Sequence, residues 1–276
     1  MTGKALAGFD GDMLIYGCGT MAGAMLTRWL ACGLKPARVT ALRKSDTPVT
    51  GGVRTLTDSH SVTKPPSLLL LGIKPQNFPS VSADVARLAG PDTLVVSIMA
   101  GVSLEDLRLA LPDAGLIVRA MPNMPVETGR GVVALIAERD DAAAHDRLDR
   151  LMAPLGLVQW IASEISFNLV TALTGCGPAF VYRIVGAMAG AAVRLGLDPE
   201  DADRMARAMV AGAAHTIVES DETPAAMAAA VASPGGMTQA GLDVLDTDGR
   251  LAALMADTLR AARERGKELA ASARPD

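Results

Sequence analysis

A chain of 276 residues, half of them apolar but with only four Phe, two Trp and two Tyr, can build a large core from Ala, Val, Leu, Met and Gly. That length exceeds one ordinary compact domain, so one large or two smaller domains are expected and pervasive disorder is excluded. With 26 Lys and Arg against 30 Asp and Glu and no basic cluster, nucleic acid is not an expected partner. An anionic ligand must therefore be held by a local device and not by the field of the whole molecule.

The first ten residues, with Lys4 and Asp10, lack the apolar centre of a secretion signal. The longest uncharged apolar run near the middle, Ile184–Val193, is half the roughly 20 residues that span a bilayer, so no membrane partner is expected. Cys18, Cys32 and Cys176 show no paired spacing, and His60, His145 and His215 no ligand spacing. A reducing cytoplasm and no metal follow as expectations.

In chain order, the first half alternates short apolar runs with amphipathic stretches. Met13–Tyr16 predicts a strand, Met21–Cys32 a helix closed by Gly33, and Arg38–Leu42 a second strand. Ser67–Ile73 predicts a buried strand, Val81–Leu88 a helix, Thr93–Met99 a strand and Leu104–Leu111 a helix. Gly115–Ala120 and Gly131–Ala137 predict two more strands. This alternation implies βαβ units and a parallel sheet covered on both faces. Beyond about residue 160 the pattern is helical: Ser166–Leu173, Ala179–Leu195, Pro199–Glu219, Pro224–Ala232, Thr238–Asp246 and Leu251–Ala273. The expected fold is thus α/β, an N-terminal Rossmann-type dinucleotide-binding domain over 1–162 followed by an all-α domain over 163–276. Small residues at Gly186, Gly190 and Ala191 form a helix stripe that another helix can approach, from this chain or from a second copy.

Gly17-Cys18-Gly19-Thr20-Met21-Ala22 follows the first strand and opens the first helix, the G-x-G-x-x-A dinucleotide fingerprint in its proper setting. Gly17 permits the turn, Gly19 the approach of a pyrophosphate, and Ala22 close helix–strand packing, while the helix amides face the phosphates. NAD-specific units place an acid about 20 residues on, at the end of the second strand. Here no acid occurs between Lys35 and Ser45, and Arg43-Lys44-Ser45 stand in its place. Two cations and a hydroxyl suit a 2′-phosphate, so NADPH is the expected cofactor and NADH the alternative.

Two stretches exceed what a generic dinucleotide-binding protein needs. Thr174-Gly175-Cys176-Gly177-Pro178-Ala179-Phe180 is a tight turn feeding a long helix, and Ser233-Pro234-Gly235-Gly236-Met237-Thr238 precedes another. The second offers successive free amides at a helix N-terminus, a carboxylate site, with the Thr238 hydroxyl beside it. A plain capping turn is the competing reading.

With these landmarks the sequence resembles the pyrroline-5-carboxylate reductase family over nearly its whole length. Further matching segments are Ile73-Lys74-Pro75-Gln76, Ser97-Ile98-Met99-Ala100-Gly101, Arg119-Ala120-Met121-Pro122-Asn123-Met124-Pro125 and Gly241-Leu242. The resemblance implies NADPH-dependent reduction of a cyclic imino acid to L-proline, with Ile73, Lys74, Pro75, Met99 and Ala100 lining the cofactor. It implies that the backbone of Gly235, Gly236, Met237 and Thr238 holds the substrate carboxylate with Ser233 also at the substrate, that the Thr238 hydroxyl meets the imine nitrogen as the catalytic contact, and that Glu164 lies near the substrate. It also implies a homo-oligomer built through the C-terminal helices. Cys176, Phe180, Asn168, Met237 and Ala230 depart from the family's usual residues and bear on substrate choice. The alternatives are a reductase of the same fold acting on another cyclic imine or a hydroxy acid, and a non-catalytic nucleotide-sensing relative. The hydroxy-acid version wants a lysine in the helical half, where none precedes Lys267.

Overall fold

The computed structural model describes residues 5–272. Two compact units divide it: one runs to Cys176 and takes the chain back from Ala262, and the other is Gly177–Ala261.

The first unit is an eight-stranded sheet in the order β3-β2-β1-β4-β5-β6-β7-β8. Its strands are β1 Met13–Tyr16, β2 Val39–Leu42, β3 Arg54–Leu56, β4 Leu68–Leu71, β5 Leu94–Ser97, β6 Leu116–Pro122, β7 Gly131–Ala137 and β8 Gly156–Trp160. Both faces are covered. Leu68 and Leu70 join the core beneath α1 Thr20–Ala31 and α4 Ala142–Met152, while Leu69 and Leu71 join the core under α2 Phe78–Leu88 and α3 Leu104–Ala110. Alternate side chains of β4 thus enter different cores, which is why the strand is apolar throughout and not alternating.

The parallel sheet expected from the sequence has one antiparallel exception, β6 against β7. Only the short turned segment Asn123–Arg130 joins these strands, too little for the dozen or so residues of a parallel crossover. α4 then supplies a full crossover, and β8 lies parallel to β7. The sequence reading omitted β3, β8 and α4.

Helix ends follow the residues available. α1 closes in a Schellman motif: the Gly33 amide donates to Leu30 O, the Leu34 amide to Trp29 O, and Gly33 takes φ +97°. Ser103 and Asp106 form a reciprocal capping box at the start of α3. α5 Glu164–Val170 and the π-helical turn Thr171–Gly175 belong to the sheet unit, because Phe167 is fully buried against Met121, Ala134 and Ile136. The sheet itself ends at Trp160, before the expected boundary at 162/163, whereas the compact units part at Cys176/Gly177.

The second unit carries α6 Gly177–Arg194, α7 Pro199–Glu219, α8 Pro224–Ala230, α9 Met237–Asp246 and the first half of α10 Arg250–Ser272. Ala273, the last residue of the expected tail helix, lies outside the described residues. α6 ends in a second Schellman motif at Gly196, and Asp198 caps α7 ahead of Pro199, as the sequence requires. α6 and α7 pack through Ala189, Ala202 and Ala206. Gly186 is not on that contact face, since a Cβ there would meet nothing within 4 Å.

The helical run Glu164–Arg194 is long and apolar enough to cross a membrane by length and composition, more than the ten-residue apolar segment suggested. Its first turn, however, is tied by Glu164 to Arg119 of β6, and Phe167 is buried in the sheet unit.

α1 is also tied to α4, by the Trp29 indole N–H donating to Leu151 O at 2.8 Å from a fully buried ring. Trp29→Phe keeps much of the volume but leaves that carbonyl without its donor. A loss of about 1–3 kcal/mol is expected, read as a lower denaturant midpoint at unchanged slope.

Candidate active site

The sheet order reverses between β1 and β4, and the carboxyl ends of this pair are where a doubly wound sheet receives its ligand. The two ends approach so closely that neither tolerates a side chain. A Cβ on Gly17 would lie 2.5 Å from Ile73 Cγ2 and 2.9 Å from the Gly72 backbone, at φ +89°. A Cβ on Gly72 would lie 2.4 Å from Gly17 O and 2.9 Å from Ala22 Cβ. Ala22, 1% exposed, is therefore the small helix residue that lets α1 settle on β4. Gly19 differs: its Cβ position is open, and it caps α1 with no side-chain acceptor, leaving the first-turn amides to face outward.

In front of this turn lies a cleft of about 550 Å³. It brings together Gly17, Cys18, Gly19, Arg43, Lys44, Ile73 and Lys74 of the residues expected at a cofactor site, with Ser45 beside them. Thr20 lines a smaller adjoining depression together with Arg43. Met21 and Ala22 support the turn from the core side, and Pro75 begins the 3-10 turn Pro75–Asn77 at the edge. Met99 does not line the cleft: the residue is 1% exposed, backbone included, and packs under β4 and β5, leaving the exposed Ala100 at that corner.

Among the described residues Arg43, Lys44 and Lys74 make no ion pair, and these three cations line one concavity together with two carboxylates, Asp58 and Asp84. Burial pushes the Cys18 thiol up from its ordinary value, with Arg43 opposing, and burial likewise raises the Tyr16 phenol. Both groups stay neutral at pH 7, so neither adds negative charge where an anion would lie. The lining that sequence reasoning missed includes Asn77, just before α2, Val81 and Asp84 within it, and the segment after β3, Thr57–His60. Asp58 there is committed locally: it accepts from the His60 amide at 2.9 Å and from His60 Nδ1 at 3.1 Å. Those contacts hold its carboxyl below the usual range. The alternation period gave no sign of a three-residue strand placing these residues in the cleft.

Glu164 has partners of its own. Its Oε1 accepts from Arg119 Nη1 at 2.6 Å and from the Leu104 amide at 2.9 Å, and its side chain is one-third exposed.

Ser233–Thr238 belongs to the helical unit. α9 starts at Met237, one residue earlier than expected, and its first intrahelical bond runs from the Ala240 amide to Gly236 O. The amides of Met237, Thr238 and Gln239 precede that bond and have no intrahelical acceptor. Both glycines are required by the turn itself: Gly235 has φ +71°, and a Cβ on Gly236 would lie 2.5 Å from Ser233 Oγ. Met237 projects its side chain away, 95% exposed, and Thr238 is exposed beside it.

A doubly wound dinucleotide cleft joined to a helical domain defines an oxidoreductase of the nucleotide-dependent class. Residues 13–101 match the family model described as NADP oxidoreductase, coenzyme F420-dependent, and residues 164–269 match pyrroline-5-carboxylate reductase dimerisation. A pyrroline-5-carboxylate reductase from Synechocystis sp. is 36% identical over 264 residues, 92% of this chain and 97% of that protein. The solved structure of a pyrroline-5-carboxylate reductase from Coxiella burnetii superposes with a TM-score of 0.86 at 30% identity, covering 94% of this chain and 98% of its own. One from Plasmodium falciparum, with NADP bound, superposes at 0.82 and 21% identity over 95% and 99%. The chain belongs to the pyrroline-5-carboxylate reductase family.

The two glycines of the turn fail differently when substituted. Gly17→Ala should lower both stability and dinucleotide affinity, since φ and contact both oppose it. Gly19→Ala should leave the melting temperature within a degree or two yet weaken NADPH binding at least about 10-fold, because its methyl enters only the ligand's space. Fluorescence titration beside thermal melting separates the two.

Proposed function

We infer that this protein is an NADPH-dependent pyrroline-5-carboxylate reductase, converting 1-pyrroline-5-carboxylate to L-proline, the last step of proline biosynthesis. The observation that carries the reading is the cleft at the β1/β4 reversal, rimmed by Arg43, Lys44 and Lys74, which make no ion pair among the described residues, in a chain of this family. The residues fit a phosphorylated dinucleotide: an open Gly19, uncapped α1 amides for the pyrophosphate, and two cations with Ser45 for a 2′-phosphate. The Plasmodium relative, solved with NADP bound, supports the same choice of cofactor.

When bound, NADPH supplies the hydride equivalent, and one proton completes the reduction of the C=N bond. The remaining work belongs to the chain. The amides at the start of α9, ahead of the Ala240–Gly236 bond, hold the substrate carboxylate, assisted by the helix dipole. The Thr238 hydroxyl orients the ring nitrogen. Because the protonated imine is already electrophilic, orientation and a preorganised polar cradle suffice without a strong catalytic acid.

Residues 1–162 serve the cofactor in this reading, and 163–276 serve substrate binding and dimerisation. The chain works as a homo-oligomer through its C-terminal helices. Support comes from the exposed apolar residues of α6 and α7 and from Gly186, whose surroundings are empty within the chain. Three free cysteines agree with a cytoplasmic setting.

NADPH oxidation with pyrroline-5-carboxylate, run beside NADH and beside a six-membered cyclic imine, tests the reading. Turnover with the five-membered ring and preference for NADPH are expected. Silence on every imine, with tight nucleotide binding, would instead mark a nucleotide-sensing protein. Replacing Arg43 and Lys44 together by Ala should raise the KM for NADPH about 10- to 100-fold, as loss of charged hydrogen bonds does, and leave NADH little changed. Thr238→Ala should cost roughly 30- to 1000-fold in kcat/KM.

A further inference from the structure

Arg119 opens one of the most distinctive sequence segments, yet the reaction as proposed gives it no role. It sits in the middle of β6 opposite Ser97 of β5, with its side chain 5% exposed. Its guanidinium stacks on the buried ring of Phe167 at 4.3 Å, and Nη1 meets Glu164 at 2.6 Å. Nε has no hydrogen-bond partner among the described residues. Burial pulls Arg119 below the ordinary guanidinium value, with Glu164 opposing. A buried arginine with an unsatisfied donor is a costly way to hold a sheet together, and an apolar residue would pack there at lower cost.

What the arginine secures is the position of one oxygen. The same Glu164 Oε1 accepts the amide of Leu104, the first residue of α3. α3 ends the corner 98–103, which leaves β5 directly beside the Gly72–Ile73 side of the cleft. The corner's near end is fixed by the Ile98 amide donating to Leu71 O at 3.0 Å. Its far end is fixed by Glu164, and Glu164 is fixed by Arg119. Gly101 and Ser103 of the corner share a small cavity of about 270 Å³ with Arg119 and Glu164.

We propose that Arg119 is a positioning residue for the corner 98–103: acting through Glu164, it sets where the exposed Ala100 meets the nicotinamide half of the dinucleotide. This rests on the reading of the cleft as an NADPH site. The adenosine half lies against Gly17–Gly19 and Arg43–Ser45, a different part of the sheet edge, and is indifferent to Arg119.

The test compares 2′,5′-ADP, which carries only the adenosine half, with NADP+, both titrated by calorimetry into the full-length protein. In Arg119→Met and in Glu164→Gln, affinity for 2′,5′-ADP should stay within twofold of the unaltered protein, while affinity for NADP+ falls about 10-fold. The double variant should be no worse than the more affected single variant, since both act on one linkage. In Arg119→Met, kcat should drop about 100-fold, the scale of a misplacement near 1 Å, with the KM for the imine changing far less. Arg119→Lys, which keeps the charge, should recover part of both losses, and it carries the test with Glu164→Gln if Arg119→Met does not fold. Equal losses for both ligands would reduce Arg119 to general stability and overturn the proposal, as would unchanged NADP+ affinity. Failure of the unaltered protein to bind NADP+ would overturn the cofactor reading itself.

Discussion

The contact between the first strand–helix turn and the end of β4 is the constraint on which the dinucleotide cleft depends. Gly17, Gly72 and Ala22 leave no room for one more carbon at either glycine, so α1 lies at the shortest distance from the sheet that backbone packing allows. That distance, with Gly19 free of side chain, directs the first amides of α1 into the cleft and not into the protein. The G-x-G-x-x-A pattern is therefore a statement about three separation distances, two within the chain and one reserved for a ligand. The two internal ones are visible in the structure, and the third is visible as empty space at Gly19.

The helical unit answers to a different constraint. α6 and α7 bury only a narrow strip of alanines against each other, while Ile184, Met188, Met205 and Met209 remain exposed. A monomer seldom leaves so many large apolar side chains in water. This surface lies within residues 164–269, which match the family's dimerisation model. The small-residue stripe at Gly186 was open to either of two readings from the sequence. The structure excludes the α6–α7 contact as its purpose, because that contact runs through Ala189, Val185 and Ala192.

Most of the architecture was legible where a residue's own chemistry dictates a boundary. Gly33 and Gly196 end helices because only glycine accepts the Schellman conformation cheaply, and Asp198-Pro199 starts one because cap and fixed φ coincide. What escaped was set by partners distant in sequence. β3 is three residues long and pairs only with β2, and Gln159 and Gly156 dilute the apolar signal of β8. The antiparallel β7 looks in sequence like its parallel neighbours, since only the length of its connection sets direction. At the site, glycine turns and the cations after β2 could be read directly, but the side chain of Met99 proved to be core and Glu164 proved to be held by Arg119. Neither fact has a local signature.

The distribution of charge pairing explains how a protein of net charge −4 presents a cationic cleft. Arg108 and Arg139 are joined to Glu138 along the sheet, and Arg150, Arg204, Arg207 and Arg260 are paired on helix surfaces. Exposed pairs of this kind contribute little to stability, but they cancel the field of the charges they contain. Arg43, Lys44 and Lys74 make no ion pair among the described residues, and all three line one concavity whose walls also include neutral Tyr16 and Cys18 beside Asp58 and Asp84. Low-dielectric walls strengthen the attraction of such cations for a phosphate well beyond what surface lysines exert in water. Selectivity for an anion thus needs no excess of basic residues over the whole chain, only a place where cations outnumber carboxylates, here three against Asp58 and Asp84, with Asp58 already bonded to His60.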